Sequence, residues 1–395
     1  MKHFINRNNF TLLFEQAIFS LFNFLVVINI YRDISTIQIA SIGVDITALY
    51  GAVSICRNLI SGAFIQNKFP VSEFRLEHLL KIISVRALLY TPLIILVIIV
   101  SCYLTSTDSQ TTWHLIVISI EIIFVDNFRQ IQILYRKVQF MSVNLILSIL
   151  LSSLIFNLMS LRGNLALKFW FLTLSFYLII FLAKYFKIFA RFSDNELFDV
   201  KSISRKVIVI ESLANHSIFY LYNFIFFHFN PLLSGEIRLI TAWVVNAASS
   251  LYVTLNNYYT IRLVNSESNI QEQRSINLLA FLSLTISGLL FSVFQSIIPI
   301  NNLKIDYWLI FGTCVSSISF FIHSRILVLY LHHVAFGKII SIRALTWTVN
   351  LGIQLIGTYF FEKTGFIISS FISFLFVLRL YENALIKSSM PRNVL

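Results

Sequence analysis

The sequence predicts an all-α integral membrane protein of about twelve transmembrane helices, arranged in two six-helix lobes around a central cavity. Of its 395 residues, 57% are hydrophobic and only 12% are charged. Soluble domains contain roughly 25% charged residues. The apolar residues, among them 39 Phe, lie in long runs with only 11 Gly and 5 Pro in the whole chain. We find no segments of about ten residues with alternating polarity, which an outer-membrane barrel would show.

Two sets of six apolar segments are long enough to span a bilayer, which takes roughly 20 residues of helix. The first set lies at 9–30, 36–56, 87–104, 112–131, 139–159 and 165–186. The second set lies at 206–228, 236–260, 277–300, 307–331, 338–359 and 364–382. No small-residue cleavage site follows the first segment, so we interpret it as a helix and not as a removed signal peptide.

The net charge of +12 comes from basic residues in short groups between the apolar segments. These groups do not form the continuous basic stripe of a nucleic-acid-binding protein. Basic residues concentrate in the cytoplasmic loops of membrane proteins. With the N-terminus inside, 24 of the 30 Lys and Arg fall on the cytoplasmic side. We therefore expect a multi-pass inner-membrane protein with both termini in the cytoplasm.

A charged stretch at 187–205 separates the two sets of segments. The sequence thus predicts an N-terminal lobe at 1–186, a cytoplasmic linker at 187–205 and a C-terminal lobe at 206–395. Internal repetition favours the same division, because Asn23 recurs as Asn223 in similar aromatic surroundings 200 residues later. Parallel six-helix repeats are typical of alternating-access transporters.

Motifs of enzymes are missing from the sequence, which has no Gly-rich phosphate loop, H-E-x-x-H or G-x-S-x-G. The three cysteines lie far apart in or beside apolar segments, without metal or redox spacing. His332 and His333 are adjacent, so their rings point in different directions on a helix. We predict a protein that is not an enzyme and that binds no metal or cofactor.

Ionisable residues inside the apolar segments are the first candidates for function. Each costs at least about 2.5 kcal/mol at the centre of a bilayer unless it faces protein or water. Glu15, Asp45 and Glu121 are candidates for coupling to a proton or sodium ion. The alternative is a structural ion pair or a place nearer the interface, which applies most to Asp126, Glu211 and Arg238.

Amides and tyrosines gather on the first, second, seventh and eighth segments. These segments would line a shared cavity if the two lobes face each other. Such side chains suit a sugar-bearing ligand, through hydrogen bonds and ring stacking. The candidates for substrate contact are Asn23, Asn223, Asn246, Tyr50 and Tyr252.

Three stretches resemble the bacterial polysaccharide flippases of the multidrug/oligosaccharidyl-lipid/polysaccharide exporter superfamily. They are Phe14-Glu15-Gln16 with SLFNFLVVINIYRDIS, DNFRQIQILYRKVQF in the fourth segment, and LSGEIRLITAWVVNAASSLYVTLNN in the eighth. The Gly-x-x-Arg entry of the last stretch is similar to the start of that family's second lobe. The helix count, the short outer loops and the linker extend the resemblance over nearly the whole chain.

The resemblance implies export of an O-antigen or capsule unit, carried on undecaprenyl pyrophosphate, across the bacterial inner membrane. It implies that Arg238 binds the pyrophosphate, while Arg57 and Arg129 at cytoplasmic helix ends meet the head group first. The implied partners are the lipid-linked oligosaccharide, membrane lipids, a polysaccharide polymerase and a chain-length regulator, with no nucleic acid. The first segment departs from the family, because Glu15 and Asn23 stand where a cationic clamp is expected.

Other functions stay open at this point. A cation-coupled small-molecule or multidrug exporter of the same superfamily would use Glu15, Asp45 or Glu121 to carry its ion. A facilitator-type transporter would have G-x-x-x-D-R-x-G-R-R within 57–86, where it is missing. An O-antigen polymerase normally has a large outer loop with functional arginines, and no outer loop here is long enough.

Overall fold

The computed structural model describes residues 34–57, 60, 76–134, 138–159, 165–189, 204–245, 248, 270–297, 305–330 and 336–389. These ranges are helical apart from short connections and contain no strand. In chain order the helices are α1 (Thr36–Arg57), α2 (Leu76–Thr105), α3 (Ser109–Leu134), α4 (Val138–Met159), α5 (Leu165–Phe189), α6 (Ser204–Phe229), α7 (Pro231–Ile240), α8 (Ile270–Ile297), α9 (Tyr307–Tyr330) and α10 (Phe336–Ser389). The predicted all-α fold class is confirmed.

Ten of the predicted segments are confirmed as helices, namely those in α1 to α6, α8 and α9 and the two in α10. Six of the described helices contain a stretch long and apolar enough to cross a membrane. The segment 9–30 and most of the segment 236–260 lie outside the described residues. The total of twelve, the inner-membrane location and the orientation of the termini stay predictions.

Large apolar side chains cover the outer surface of several helices. Leu88, Leu150, Leu290 and Leu375 are all well exposed. A soluble monomer rarely exposes apolar surface on this scale, whereas lipid tails cover it at no cost. In contrast to α2, which is mostly exposed, α1 is mostly buried. Two polar side chains of α1, Ser41 and Asp45, are buried and face protein.

The described residues form two compact units that divide within α6, between Tyr220 and Leu221. The first unit contains α1 from Ser41 onward, α2 to α5 and the first part of α6. The second contains residues 34–40, the rest of α6 and α7 to α10. Most of the predicted linker lies outside the described residues, so the predicted lobe boundaries stay a prediction.

Hydrogen bonds and ring stacking hold the helices of the first unit together. The Asn144 side chain of α4 donates to the carbonyl oxygen of Tyr177 in α5, at 3.1 Å. The aromatic rings of Phe128 in α3 and Phe181 in α5 stack with centroids 4.2 Å apart. Polar contacts of this kind, together with close packing, drive the association of helices in a membrane, because lipid tails are as apolar as Leu.

The second unit shows where a predicted helix boundary was wrong. The helix expected to begin at residue 236 begins at Pro231. Asn230 caps it, because its side chain accepts a hydrogen bond from the Leu233 backbone N–H at 3.0 Å. Proline suits the first helical position, since its missing N–H would have no partner there. A π-helical turn at Thr241–Val245 continues α7.

Two antiparallel arms make up α10. The chain breaks at Phe361 and at Glu362, where φ is 48° and ψ is −126°. The Ser373 hydroxyl of the second arm donates to the Asn350 carbonyl oxygen of the first at 3.2 Å. These two residues would be on the order of 34 Å apart in a straight helix. The arms therefore correspond to the predicted segments 338–359 and 364–382.

Candidate functional site

Asp45 of α1 is 0% exposed, and its carboxylate lies against the C-terminal end of α2. The Ser101 hydroxyl donates to Oδ1 at 2.6 Å. The Thr105 hydroxyl lies 3.0 Å from both carboxylate oxygens. The Thr107 hydroxyl donates to Oδ2 at 2.5 Å. Three hydroxyl groups thus surround one buried carboxylate, and we call these four residues the Asp45 cluster.

The turn after α2 brings Thr107 back to Asp45. Ser106 has a φ of 56°, the left-handed conformation that ends many helices. The Thr107 N–H then donates to the Cys102 carbonyl oxygen at 2.9 Å and closes the turn. Asp108 follows at once and caps α3, because its carboxylate accepts the Thr111 N–H at 2.8 Å. The short S-T-D connection therefore builds one side of the cluster.

The charge of Asp45 has no basic counterpart in the part of the chain that the structure describes. Its carboxylate contacts hydroxyl groups and no Lys, Arg or His side chain there. The sequence from residue 87 to residue 128, which includes most of α2 and α3, contains no Lys or Arg. Among the described residues, the hydrogen bonds from these hydroxyl groups offset the cost of burying the carboxylate, because a buried charge is costly unless polar groups contact it.

A hydrogen bond connects the Asp45 cluster to α6. The Tyr220 hydroxyl donates to Ser101 Oγ at 3.2 Å, and Ser101 in turn donates to Asp45. One turn earlier on α6, His216 packs against Gly51 of α1, where an added Cβ would lie 3.4 Å from the His216 Cβ. The first part of α6 is therefore in contact with α1 and α2.

Glu121 of α3 is the second buried carboxylate of the first unit. The Ser175 hydroxyl of α5 donates to its Oε1 at 2.5 Å. The other oxygen, Oε2, is buried and accepts no hydrogen bond from the described residues. Glu121 therefore has an oxygen that is free to hold a proton or to bind a cation.

Predicted substrate-contact residues lie in both units. Tyr50 of α1 is 39% exposed, and its ring centroid lies 6.3 Å from that of Trp170. Arg129 of α3 is only 6% exposed. Asn223 of α6 is buried and Arg238 of α7 is half-buried, both in the second unit. A joint role of these residues in binding a pyrophosphate stays a prediction.

The remaining predicted residues cannot be placed. Arg57 is the last residue of α1, but its side chain lies outside the described part of the structure. Glu15, Asn23, Asn246 and Tyr252 also lie outside it. Their roles in substrate binding or ion coupling stay predictions.

The hydroxyl partners of Asp45 and a second polar chain were not predicted from the sequence. In the second unit, the Tyr222 hydroxyl donates to Gln354 Oε1 at 2.8 Å. The Gln354 amide donates to Ser316 Oγ at 3.0 Å. A signal was present for the first case, since S-C-Y-L-T-S-T-D at 101–108 places four Ser and Thr residues at the end of an apolar run. A lone Gln within an apolar segment was the signal for the second.

Neither a protein-family model nor a curated protein sequence matches the chain. A solved structure does, that of the MATE transporter VcmN of Vibrio cholerae in the bent form, with a TM-score of 0.50. The similarity covers 96% of each chain at 12% sequence identity. MATE transporters are members of the superfamily to which the sequence resemblance points. The chain is an all-α multi-pass membrane protein with the fold of a MATE transporter.

Proposed function

We propose that this protein is a membrane exporter that works by alternating access, and that it moves an undecaprenyl-pyrophosphate-linked oligosaccharide across the bacterial inner membrane. The similarity of fold to a MATE transporter over 96% of the chain is the observation that carries the proposal of export. The three stretches that resemble polysaccharide flippases favour an O-antigen or capsule unit as the substrate.

Arg238 is the residue that we propose for the pyrophosphate. A guanidinium group binds phosphate oxygens through two parallel hydrogen bonds, which suits a pyrophosphate better than a lysine does. Arg238 lies close enough to Tyr222 to act on it electrostatically. Within the second unit, Asn223 follows Tyr222 in the sequence, and we propose that its amide contacts a sugar. Stacking of a sugar on the exposed ring of Tyr50 is a separate proposal that concerns the first unit alone.

Arg129 would act at a different stage of the cycle. At 6% exposure its side chain does not reach solvent in the conformation described. It would meet a head group only after α3 or a neighbouring helix moves, as alternating access requires.

A cation-coupled small-molecule exporter is the second candidate. The buried carboxylates of Asp45 and Glu121 favour it, since buried ionisable residues in membrane proteins mark ion or proton pathways. Ion coupling by itself does not distinguish the two candidates, because a flippase also needs a source of energy. The substrate must therefore be tested directly.

Deletion of the gene in its own host distinguishes the candidates. The flippase proposal expects loss of the lipopolysaccharide or capsule ladder on a gel, and recovery when the gene is returned on a plasmid. An unchanged ladder together with new sensitivity to cationic dyes would contradict the flippase proposal and support the small-molecule exporter.

Arg238→Ala tests the pyrophosphate contact in the complemented strain. We expect at least a tenfold loss of ladder material at an unchanged amount of protein in the membrane, because the positive charge is gone. Arg274→Ala is the matched control, since Arg274 pairs with Glu382 on the surface of the same unit, at 2.7 Å. Normal export by Arg238→Ala would show that Arg238 has only a structural or topological role.

A further inference from the structure

We propose that a groove between α8 and α9 binds a phospholipid with a zwitterionic, ammonium-bearing head group, such as phosphatidylethanolamine. The groove has a volume of about 580 Å³, which lies in the range of ligand pockets in proteins. Its walls come from α8 between Thr285 and Val293 and from α9 between Tyr307 and Cys314, all within the second unit. The proposal goes beyond export, because lipid binding at this surface does not depend on the substrate.

Small side chains form the floor of the groove. Gly288 and Ser292 lie one turn apart on α8, and Cys314 of α9 lies opposite Gly288. An added Cβ at Gly288 would lie only 3.2 Å from Cys314 Sγ, so the two helices approach closely at this point. The larger side chains of Leu289 and Trp308 also line the groove and are 63% and 68% exposed. The groove is therefore a depression that is open to the surroundings of the protein.

The lining of the groove suits a hydrocarbon chain. The Thr285 and Ser292 hydroxyl groups donate to backbone carbonyl oxygens of their own helix, at 2.9 and 2.8 Å. The Cys314 thiol lies 3.6 Å from the Leu284 carbonyl oxygen. These polar groups have partners within the protein, so they need none from a ligand. A bilayer supplies hydrocarbon chains, and a chain in the groove restores the dispersion contacts that an empty depression lacks.

The length of the groove corresponds to one leaflet of a bilayer. Thr285 to Val293 is a rise of about 12 Å along α8. Half of the hydrocarbon core of a bilayer is about 15 Å thick. One acyl chain of a phospholipid in that leaflet would fill the groove. The much longer tail of a polyprenyl carrier would extend well beyond it, so the length favours a phospholipid over the lipid tail of the proposed substrate.

Aromatic rings mark the end of the groove where the head group would lie. Tyr307 and Trp308 are the first two residues of α9. At the same end, the Gln295 amide of α8 donates to the Ile305 carbonyl oxygen at 3.0 Å. Tyr and Trp concentrate at the level of the head groups in membrane proteins. Their hydroxyl and indole N–H groups can donate to the ester and phosphate oxygens of a lipid.

Carboxylates gather at this end of the groove. Asp306 directly precedes Tyr307 and caps α9, because its carboxylate accepts the Trp308 N–H at 2.9 Å. The Lys363 ammonium group lies 3.4 Å from the Asp306 carboxylate and 3.8 Å from the Glu236 carboxylate. One lysine thus pairs with two carboxylates, and these pairs leave a net negative charge.

The charge at this end favours a zwitterionic head group over an anionic one. Glu362, next to Lys363, is exposed and adds a third carboxylate. Lys304 precedes Asp306 in the sequence but lies outside the described residues; with its charge counted, carboxylates still outnumber ammonium groups by three to two. A head-group ammonium would be attracted here, whereas an anionic lipid would be repelled. Lys363 is 37% exposed and can bind the phosphate of the same head group.

Native mass spectrometry of the purified full-length protein tests the proposal. The protein is freed of lipid in detergent and mixed with equal amounts of phosphatidylethanolamine and phosphatidylglycerol that have the same acyl chains. Because the tails are identical, a preference for one lipid is due to its head group. We expect one lipid to stay bound per chain, with the ethanolamine lipid favoured at least fivefold.

Ser292→Phe tests the contact with the acyl chain, because a ring at this position fills the groove. Bound lipid of either kind should fall at least fivefold. Ile286→Phe is the matched control, since it places the same ring on the same helix at an exposed position outside the groove, and it should leave lipid binding unchanged. Gel filtration verifies the folding of each variant. If Ser292→Phe does not fold, Val293→Trp fills the groove from a position that is 59% exposed.

Asp306→Asn tests the contact with the head group. Asparagine can keep the cap of α9, because its side-chain oxygen also accepts a backbone N–H, but the negative charge is gone. The preference for phosphatidylethanolamine should fall below twofold. Glu382→Gln is the matched control, because it removes the same charge from a surface ion pair with Arg274. Glu382 lies roughly 28 Å along the second arm of α10 from Lys363, so its loss should leave the preference unchanged.

Equal binding of the two lipids by the wild type would overturn the proposal, as would unchanged lipid binding in Ser292→Phe and Val293→Trp. Displacement of phosphatidylethanolamine by undecaprenyl phosphate would also overturn it and would assign the groove to the tail of a polyprenyl carrier. A lipid-free dimer that Ser292→Phe separates would assign the groove to a second copy of the chain. The gel of the deletion strain does not depend on these results, so failure of the lipid site would leave the proposed function standing.

Discussion

Replacing Tyr222 with Phe removes one hydroxyl from the buried polar chain of the second unit. That hydroxyl donates to Gln354 Oε1 at 2.8 Å, and both side chains are buried. The Gln354 amide is held in turn by Ser316 Oγ at 3.0 Å. Tyr222→Phe therefore leaves a buried amide oxygen without a donor. Gln354→Leu leaves the Tyr222 hydroxyl without an acceptor.

The size of the effect follows from these contacts. Leaving a buried polar atom unpaired costs about 1–3 kcal/mol, whereas replacing both partners by apolar groups is close to neutral. Pairs of this kind in membrane helices have coupling energies of about 0.6–1.7 kcal/mol. We expect the double variant Tyr222→Phe/Gln354→Leu to be less destabilised than the sum of the single variants by that amount.

A thiol-reactive fluorogenic maleimide provides the assay, because Cys56, Cys102 and Cys314 are all buried and react only when the protein unfolds. For a unit of this size, 1 kcal/mol shifts Tm by about 2–4 °C. The loss of Tm in the double variant should thus be about 1–7 °C smaller than the sum of the two single losses. Tyr307→Phe is the control, since Tyr307 is 62% exposed. Losses that add within about 0.5 kcal/mol would refute the coupling.

Two further predictions concern the close approach of the arms of α10 and the cap of α3. Gly365→Ala should lower Tm strongly, because an added Cβ would lie 1.8 Å from the Gly357 carbonyl oxygen. Gly352→Ala should raise the free energy of unfolding by about 0.5–1 kcal/mol, because an added Cβ there has no other atom within 4 Å and alanine favours a helix over glycine. Equal Tm values for the two variants would contradict the close approach of the arms of α10. Partial burial raises the pKa of Asp108, but hydrogen bonds from the hydroxyl and N–H of Thr111 outweigh it and hold the pKa below its usual value. Asp108→Ala should therefore cost about 1 kcal/mol above pH 4, and thermal melts should show this difference from wild type shrinking as the pH falls through the lowered pKa.

Hydropathy predicts the membrane part of a helix better than its ends. The predicted segment 87–104 is the apolar part of α2, which begins at Leu76. The extra turns contain Glu77, Lys81 and Arg86, which a helix can carry where it leaves the bilayer. Hydrophobicity therefore predicts the part of a helix that lies in the bilayer, and it does not predict where the helix begins or ends. The helix α7 begins at Pro231, before the predicted residue 236, because the Asn230 cap fixes its start. A cap is a local hydrogen bond, so hydropathy does not predict it.

The candidate site was predictable only in part. A carboxylate within an apolar segment is rare, so Asp45 and Glu121 were found from the sequence. Their partners were not, because Ser and Thr are common in apolar helices, where they usually bond to the carbonyl four residues earlier. Ser101 lies 56 residues from Asp45, and Ser175 lies 54 residues from Glu121. No local pattern relates residues at such separations.

The sequence by itself determined that this protein is a set of long apolar helices with few buried charges. The physical reason is that a bilayer accepts only backbones whose hydrogen bonds are satisfied within the segment. The tertiary structure alone decided which side chains meet. How each helix is rotated about its axis, and which neighbours it packs against, placed three hydroxyl groups around Asp45 and one beside Glu121. Those contacts turn an isolated buried carboxylate into a specific candidate site.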